Sequence, residues 1–482
     1  MLRLKKTLPP LAIVALCGAL ATWKVPQAAS ETRLDQTLPA LVFVEAPKVV
    51  SGNLTGRFPQ GSRLVRLAQT APASSPANLT PDFFAVADPR VSGDSSKVLF
   101  SGQIKPGSAW QIWEMNADGS EKHQVTDCLG DCFQPAYLPR GEIVFTVVTG
   151  KMPHASSAIY VSKNTGAEAH AITFGPGNFQ AETVLHDGRI LVSANSPLVL
   201  EHGNGGNRAL FVINPDGTGL SEFRREPFPN RVRTGAEELN DGTVIFVERE
   251  VLAHPGAGGE LASITPGALH NSVITPLHAE FWSAHQLDGN TLVVAKPERL
   301  SPAANAKFNL YTFDLERKIV GRLVYRHPSY SSVQAVPLEP RPDPKYYWSI
   351  LHPDSKTGRT ICLNAYLSSD AQRERFAGHL ARVRVLSLDE GQDKQQILGE
   401  SPVESDGSFY LAAPADRPIR FELLDPGGKV IHAQQSWIWV RPGEDHACLG
   451  CHANPALTAP NHWALALKRA SGPTSVGATP AH

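Results

Sequence analysis

The chain has 482 residues, a formal net charge of −1 and a charged content of 19%. That near-neutral balance argues against a nucleic-acid partner or an anionic membrane surface, both of which call for a cationic face. The length exceeds one ordinary core, so two domains are expected, and 39 Gly with 39 Pro point to many turns and few long helices.

At the start, Arg3, Lys5 and Lys6 precede an apolar run from Leu11 to Ala21. This pattern makes residues 1–29 read as an export signal, cleaved after Ala21 or after Ala29. The apolar stretch is short for a spanning helix, which favours removal over a permanent anchor. Bulky Leu16 ahead of Cys17 speaks against a lipid-modified cysteine. No later segment has transmembrane length, so a periplasmic or other extracytoplasmic chain with no stable membrane span is expected.

A repeat follows. A small turn with Gly and then a run of β-formers recurs around Val98, Ile143, Ile190, Val244 and Leu292, at spacings of 45, 47, 54 and 48 residues. A second run follows in most units, as in Gln111-Ile112-Trp113 and Leu210-Phe211-Val212, and an earlier unit shows in Leu41-Val42-Phe43-Val44. Units close on Thr80, Thr126 and Thr173. Several short strands per period of this length mark a β-propeller blade, because one such sheet cannot cover both its faces alone but a ring of them can. Six blades fit in residues 38–328; an open β-sandwich is the alternative.

In a propeller, loops joining second to third strands share a rim with loops joining successive blades. His154, His202 and His254 fall in the first class, Cys128, Asp131 and Cys132 in the second, and His285 begins an inner strand facing the same mouth. Imidazoles, thiols and a carboxylate gathered there would bind a second metal or shape a small-molecule pocket; the plainer reading is scattered, solvated loop histidines. In an oxidising compartment Cys128 and Cys132 are expected to pair as a disulfide, with metal binding as the alternative, leaving Cys362 as an odd buried thiol.

The spacing stops near Tyr330, and the Pro-rich run 337–344 reads as a seam. Residues 333–468 are expected to form a small β-rich domain with strands at 346–351, 381–388, 408–412, 418–424 and 429–440, and residues 470–482 a disordered tail. Near its end lies Cys448-Leu449-Gly450-Cys451-His452, the Cys-x-x-Cys-His signature of covalently attached haem c. Two thiols at this spacing reach both vinyl groups of one porphyrin, and the next imidazole lies under the iron. Cys448 and Cys451 would hold one haem and His452 would be its proximal ligand. A zinc half-site is the alternative, but it lacks a second ligand pair at comparable spacing. Attachment takes place outside the cytoplasm, in accord with the export signal. Methionine is excluded locally as distal ligand, since the Met residues are 1, 115 and 152; His462 is preferred, ahead of His446, with His432 one strand earlier. Trp437 and Trp439 share a strand face and either pack on the porphyrin or belong to an ordinary core.

Val403-Glu404-Ser405-Asp406-Gly407-Ser408-Phe409, followed by Arg441-Pro442-Gly443-Glu444 and the haem signature, resembles hydrazine synthase alpha-subunit-like proteins. Ser331-Ser332-Val333-Gln334-Ala335-Val336-Pro337 through Arg341-Pro342 extends the likeness, and the preceding propeller is similar to TolB-like repeats. The resemblance implies haem held by Cys448 and Cys451 with iron ligated by His452. It also marks two departures. The family's catalytic haem takes a tyrosine shortly after the motif as axial ligand; here Ala456 stands in that neighbourhood and no Tyr follows Tyr410. The family's additional electron-accepting haem domain is not expected in the residues after the motif. Fold and haem attachment therefore carry over, and hydrazine formation does not.

The leading expectation is an exported mono-haem c-type protein of periplasmic redox chemistry, acting with a redox partner protein as electron relay or oxidoreductase subunit. One alternative is a haem enzyme with an open iron site facing the propeller mouth. The other is a propeller binding module with a structural haem.

Overall fold

The computed structural model describes residues 38–50, 56–68, 75–150, 155–195, 208–223, 231–250, 257–265, 272–273, 279–298, 306–367, 380–388, 394–434, 436–450 and 463–477. The expected export signal lies outside the described residues. Among the described residues no helix is long and apolar enough to cross a membrane.

The repeated β-former runs are the second strands of successive blades: Lys97–Gln103, Glu142–Thr149, Ile190–Asn195, Val244–Glu250 and Thr291–Pro297. They read as continuous apolar segments because a neighbouring blade covers each face. Each is flanked by a first, innermost strand and by a third strand, and five of the six outermost strands are two-residue pieces that offer little edge for pairing. The recurring threonines have a shared task. Thr80, Thr126 and Thr173 each accept a 2.9 Å hydrogen bond from a third-strand N–H, of Leu64, Ile112 and Ile159 respectively. Side chains thus supply the acceptors that the short outer strands lack.

Six blades close into a ring through Ser331–Pro337, which pairs antiparallel with Leu41–Ala46 as the innermost strand of the first blade. The sequence reading begins the C-terminal domain at 333 and ends the propeller at 328; this strand moves the seam to the end of Pro337. Its burial explains the placement, since Val333, Ala335 and Val336 join the core that holds Phe43 and Phe100 or lie buried beside it.

Beyond the seam two four-stranded sheets face each other over Val383, Val385, Phe409, Leu411, Phe421 and Leu423. One runs Asp445–Cys448, Thr357–Cys362, Phe409–Pro414, Thr474–Ser475; the other runs Gln395–Pro402, Arg382–Leu388, Ile419–Leu424, Val430–Ala433. Four expectations are corrected here. Residues 346–351 form no strand but cross the propeller as a connector, where Arg140 lies over the rings of Tyr346 and Trp348 at 3.8 and 4.3 Å. The 429–440 run stops as a strand at Ala433 and resumes only as a bridge between Ile438 and Ile419. Thr357–Cys362 and Gln395–Pro402 are strands that the sequence reading does not contain. The tail is ordered through 477, because Thr474 pairs with Leu411 and Val476 is buried.

The C-terminal domain docks on the flank of the third and fourth blades. Trp439 donates its Nε1–H to the Gly217 carbonyl at 2.9 Å and packs edge-on against Phe174 and Phe179. Arg441 donates to the Asp216 carbonyl at 2.7 Å and lies over the Phe174 ring. Trp437 lines an adjoining pocket with Phe174 and Phe211. Trp437 and Trp439 therefore do share a face, and that face meets the propeller. Trp439→Ala removes the ring at the centre of this seam and should destabilise the protein by about 3–5 kcal/mol, the range for a buried large aromatic. A lowered thermal midpoint, with the β-rich far-UV spectrum retained at low temperature, is the expected readout.

Candidate functional site

The strand Asp445–Cys448 runs parallel to Thr357–Cys362, with Cys448 opposite Cys362, and the Leu363 N–H donates to the Cys448 carbonyl at 2.9 Å. Cys448 is half-buried and outside any disulfide, whereas Cys362 is buried. The chain then presses against the turn at 364–367. A Cβ built on Gly450 would lie 2.4 Å from the Leu367 carbonyl oxygen and 2.8 Å from that of Asn364, distances no side chain tolerates. The backbone at Gly450 is thus held on one side, and the Cys448 thiol stands outside any disulfide. A free thiol at the end of a strand and a glycine-only cradle behind it fit a covalently attached haem. Cys451, His452 and His462 lie outside the described residues.

The Val403–Phe409 segment clamps this region from two directions. Asp406 accepts from the Ser408 N–H at 2.9 Å and from the Leu465 N–H at 2.8 Å, while Ser408 Oγ accepts from Ala466 N–H at 2.9 Å. Glu404 pairs with Arg469 at 2.5 Å. On the other side the Gly407 carbonyl accepts from Ala365 N–H at 2.8 Å, fixing the turn that backs Gly450. Gly407 has φ of 83°, and an added Cβ would meet Asn364 at 2.4 Å, so this turn too admits only glycine. In sequence, Asp406-Gly407 signals a turn and nothing more; its role in gripping residues on both sides of the haem signature depends on pairings distant in the chain.

His446 is held beside the motif. Its Nδ1 stands 3.3 Å from Glu444 Oε1, and hydrogen bonds to Cys448 and Glu444 push its pKa up to about 10 against the opposing effect of burial. Glu444 in turn accepts from the Arg441 N–H at 2.7 Å. A carboxylate on one ring nitrogen is also how metal-bound imidazoles are commonly oriented, so His446 stays a candidate ligand. His432 lies in the strand Val430–Ala433, opposite Leu423.

In the propeller, Cys128 and Cys132 form a disulfide. It pins the approach to an inner strand, where Cys132 N–H donates to the Trp110 carbonyl at 2.8 Å and Asp131 accepts from Trp110 N–H at 2.9 Å. Sulfurs so paired present no thiolate to a metal. His154, His202 and His254 lie outside the described residues, and among the described residues no group of three or more His, Cys, Asp or Glu is arranged to hold a metal ion. His285 lies in the central channel, bonded to Glu237 and with its Nε2 3.2 Å from Arg90. Burial depresses its pKa despite the adjoining carboxylate.

The inner strands that line this channel carry a shared irregularity. Register shifts fall at Ala87/Arg90, Phe133/Ala136, Thr234/Glu237 and Gln286/Asp288, and Asp88, Gln134, Gly235 and Gln334 all take positive φ. Bulges of this kind re-aim polar groups, and here they join neighbouring blades. Asp88 accepts from Arg57 at 2.8 Å, from Gln334 Nε2 at 2.9 Å and from Gln134 N–H at 3.1 Å. One end of the channel is closed by the connector: Arg341 donates to Glu237 at 2.9 Å and to the Gln286 carbonyl at 2.7 Å. None of the residues that dock the C-terminal domain, Phe174, Phe179, Asp216 and Gly217, lines the channel.

Gly450→Val should cut covalent haem loading severely, measured as haem per polypeptide, because the cradle behind the motif is filled. Burial raises the Glu237 pKa, but His285 and Arg341 outweigh it and leave the carboxyl at about 2. A depressed carboxyl contributes stability above its ordinary pKa of 4.5, and that contribution is lost as pH falls towards about 2. Arg341→Ala should destabilise by about 1–3 kcal/mol, below the figure for a wholly buried pair because Arg341 is 38% exposed. It should also shift the onset of acid unfolding to higher pH.

A family model described as the hydrazine synthase alpha subunit middle domain matches residues 366–453, from the turn behind Gly450 to just past the haem signature. Hydrazine synthase subunit alpha of Kuenenia stuttgartiensis is 22% identical over 86% of this chain, and the chain spans 65% of that relative's length. A solved structure of Kuenenia stuttgartiensis hydrazine synthase superposes with a TM-score of 0.78 at 21% identity, covering 89% of this chain and 71% of that one, which is a likeness of fold. TolB from Acinetobacter baumannii gives a TM-score of 0.45 at 12% identity over 62% of this chain and 66% of that one.

Proposed function

The chain is a homologue of the hydrazine synthase alpha subunit, and we propose that it is an exported redox protein carrying one covalent haem c, acting as an electron relay or as a subunit of an oxidoreductase. The observation that supports this most is the free Cys448 thiol at a strand end, with Gly450 pressed into a cradle that no side chain could share. Cys448 and Cys451 would supply the two thioethers and His452 the proximal imidazole. A bound haem c supplies one-electron chemistry at a potential set by its axial ligands and burial.

The chain's own residues would then set orientation and access. The clamp of Glu404, Asp406 and Ser408 on residues 465–469, together with the fixed turn at 364–367, would hold the segment on both sides. His462 would be the distal ligand, with His446 as the alternative. A bis-imidazole site favours relay over substrate chemistry. Residues 1–29 would direct export. A protein partner is part of the proposal, since the relative is by its name one subunit of an assembly.

The ferric absorbance and EPR spectra test this reading. A low-spin, six-coordinate signal unaltered by cyanide or nitric oxide is expected, turning high-spin in His462→Ala and staying low-spin in His446→Ala. A high-spin wild-type signal that changes on adding either ligand would overturn the relay in favour of an open iron site.

A further inference from the structure

The propeller channel holds more cationic charge than its carboxylates neutralise. Asp88 is taken up by Arg57, Gln334 and Gln134. Glu237 is held by His285 and Arg341. Glu182 accepts from Ser193 Oγ and Gly235 N–H, both at 2.7 Å. Two guanidiniums lining the same cavity, Arg208 and Arg249, share the attraction of Glu182 but make no ion pair among the described residues. Arg208 donates only to neutral acceptors, the Asn178 carbonyl at 3.0 Å among them, and Arg249 faces the Trp282 ring at 5.9 Å. Burial pushes both pKa values down to about 10, helped in Arg249 by the like charge of Arg57.

The cavity these groups line has a volume of about 120 Å³. That is below the ~300–1,000 Å³ of drug-sized pockets and suits a ligand of a few heavy atoms. It is a cul-de-sac. The connector crosses the rim of the first hairpin turns, at Gly93 and His186, and Arg341 closes that end. Arg208 begins a third strand and Arg249 approaches the end of a second strand, at the opposite rim, beside Trp282.

We propose that this pocket binds a small anion with two or more charge-sharing oxygens, held by the forks of Arg208 and Arg249 near the Arg57–Asp88 pair and against Trp282. Guanidinium forks match such groups with paired hydrogen bonds, and a bound anion would offset the cationic charge that Glu182 only partly balances. An inorganic oxyanion and the carboxylate of a small organic acid share this chemistry. The site is formed by propeller residues alone and does not depend on the haem reading.

The test uses the full-length holoprotein at constant ionic strength, with sodium sulfate and sodium acetate each exchanged against sodium chloride and the thermal midpoint followed. A saturable rise with sulfate supports an inorganic oxyanion site, and one with acetate supports a carboxylate site. Arg208→Gln and Arg249→Gln should each weaken the response about tenfold, the loss of one charge-assisted contact. If a glutamine variant fails to fold by circular dichroism, Arg249→Lys, which keeps charge and loses the fork, is read in its place and should also bind more weakly. No saturable response beyond chloride, or a response unchanged in the folded variants, overturns the proposal. Haem absorbance recorded alongside keeps failure here distinct from failure of the haem assignment.

Discussion

The pairing of Ser331–Pro337 with Leu41–Ala46 is the contact on which the remaining architecture depends. A four-stranded blade leaves two apolar faces, and only a closed ring covers them all. Leu41 to Val44 are wholly buried because the last strand of the ring comes back to lie beside them. The same strand fixes where the chain leaves the ring. It exits next to the channel, so Arg341 falls four residues later at Glu237 and stoppers one end. The connector then crosses to Asp216, where Ser349 bonds its carboxylate at 2.7 Å, and delivers the second domain to the flank.

That route separates two chemistries. The channel is polar, bulged and charged, and its walls come from the inner strands of the ring. The cysteine segment belongs to a sandwich whose Trp439 and Arg441 face away from the channel and into the flank of the third and fourth blades. In the channel itself, the inner-strand residue His285 is held by Glu237 and Arg90. The cysteine segment rests on its own sandwich, through Cys362 beside Cys448 and through the Glu404–Ser408 clamp.

The blades were legible because their second strands are buried on both faces and so repeat as uninterrupted apolar runs. The threonines were legible as a spacing, though not as the acceptors for Leu64, Ile112 and Ile159. Inner strands other than the one at His285 are hard to read in the sequence, because bulges at residues such as Asp88 and Gln134 break alternation and place polar groups inside. The closing strand was visible as a segment but not as a member of the first blade, since a pairing with Leu41–Ala46 across the whole ring leaves no local trace. The cysteine motif was plain from five adjacent residues. Its cradle was not: Gly450 matters because of Asn364 and Leu367, more than eighty positions earlier, and no periodicity links them.

The central claim is that the Cys448–Cys451 segment holds one haem covalently. Intact-mass measurement under denaturing conditions, on protein exported in cells competent for haem attachment, tests it most directly. A single species heavier than the processed polypeptide by one haem is expected, with the added mass mapped to the peptide containing Cys448 and Cys451 and lost in Cys448→Ala/Cys451→Ala. Unmodified polypeptide mass from such cells, or haem that dissociates on denaturation, would contradict it.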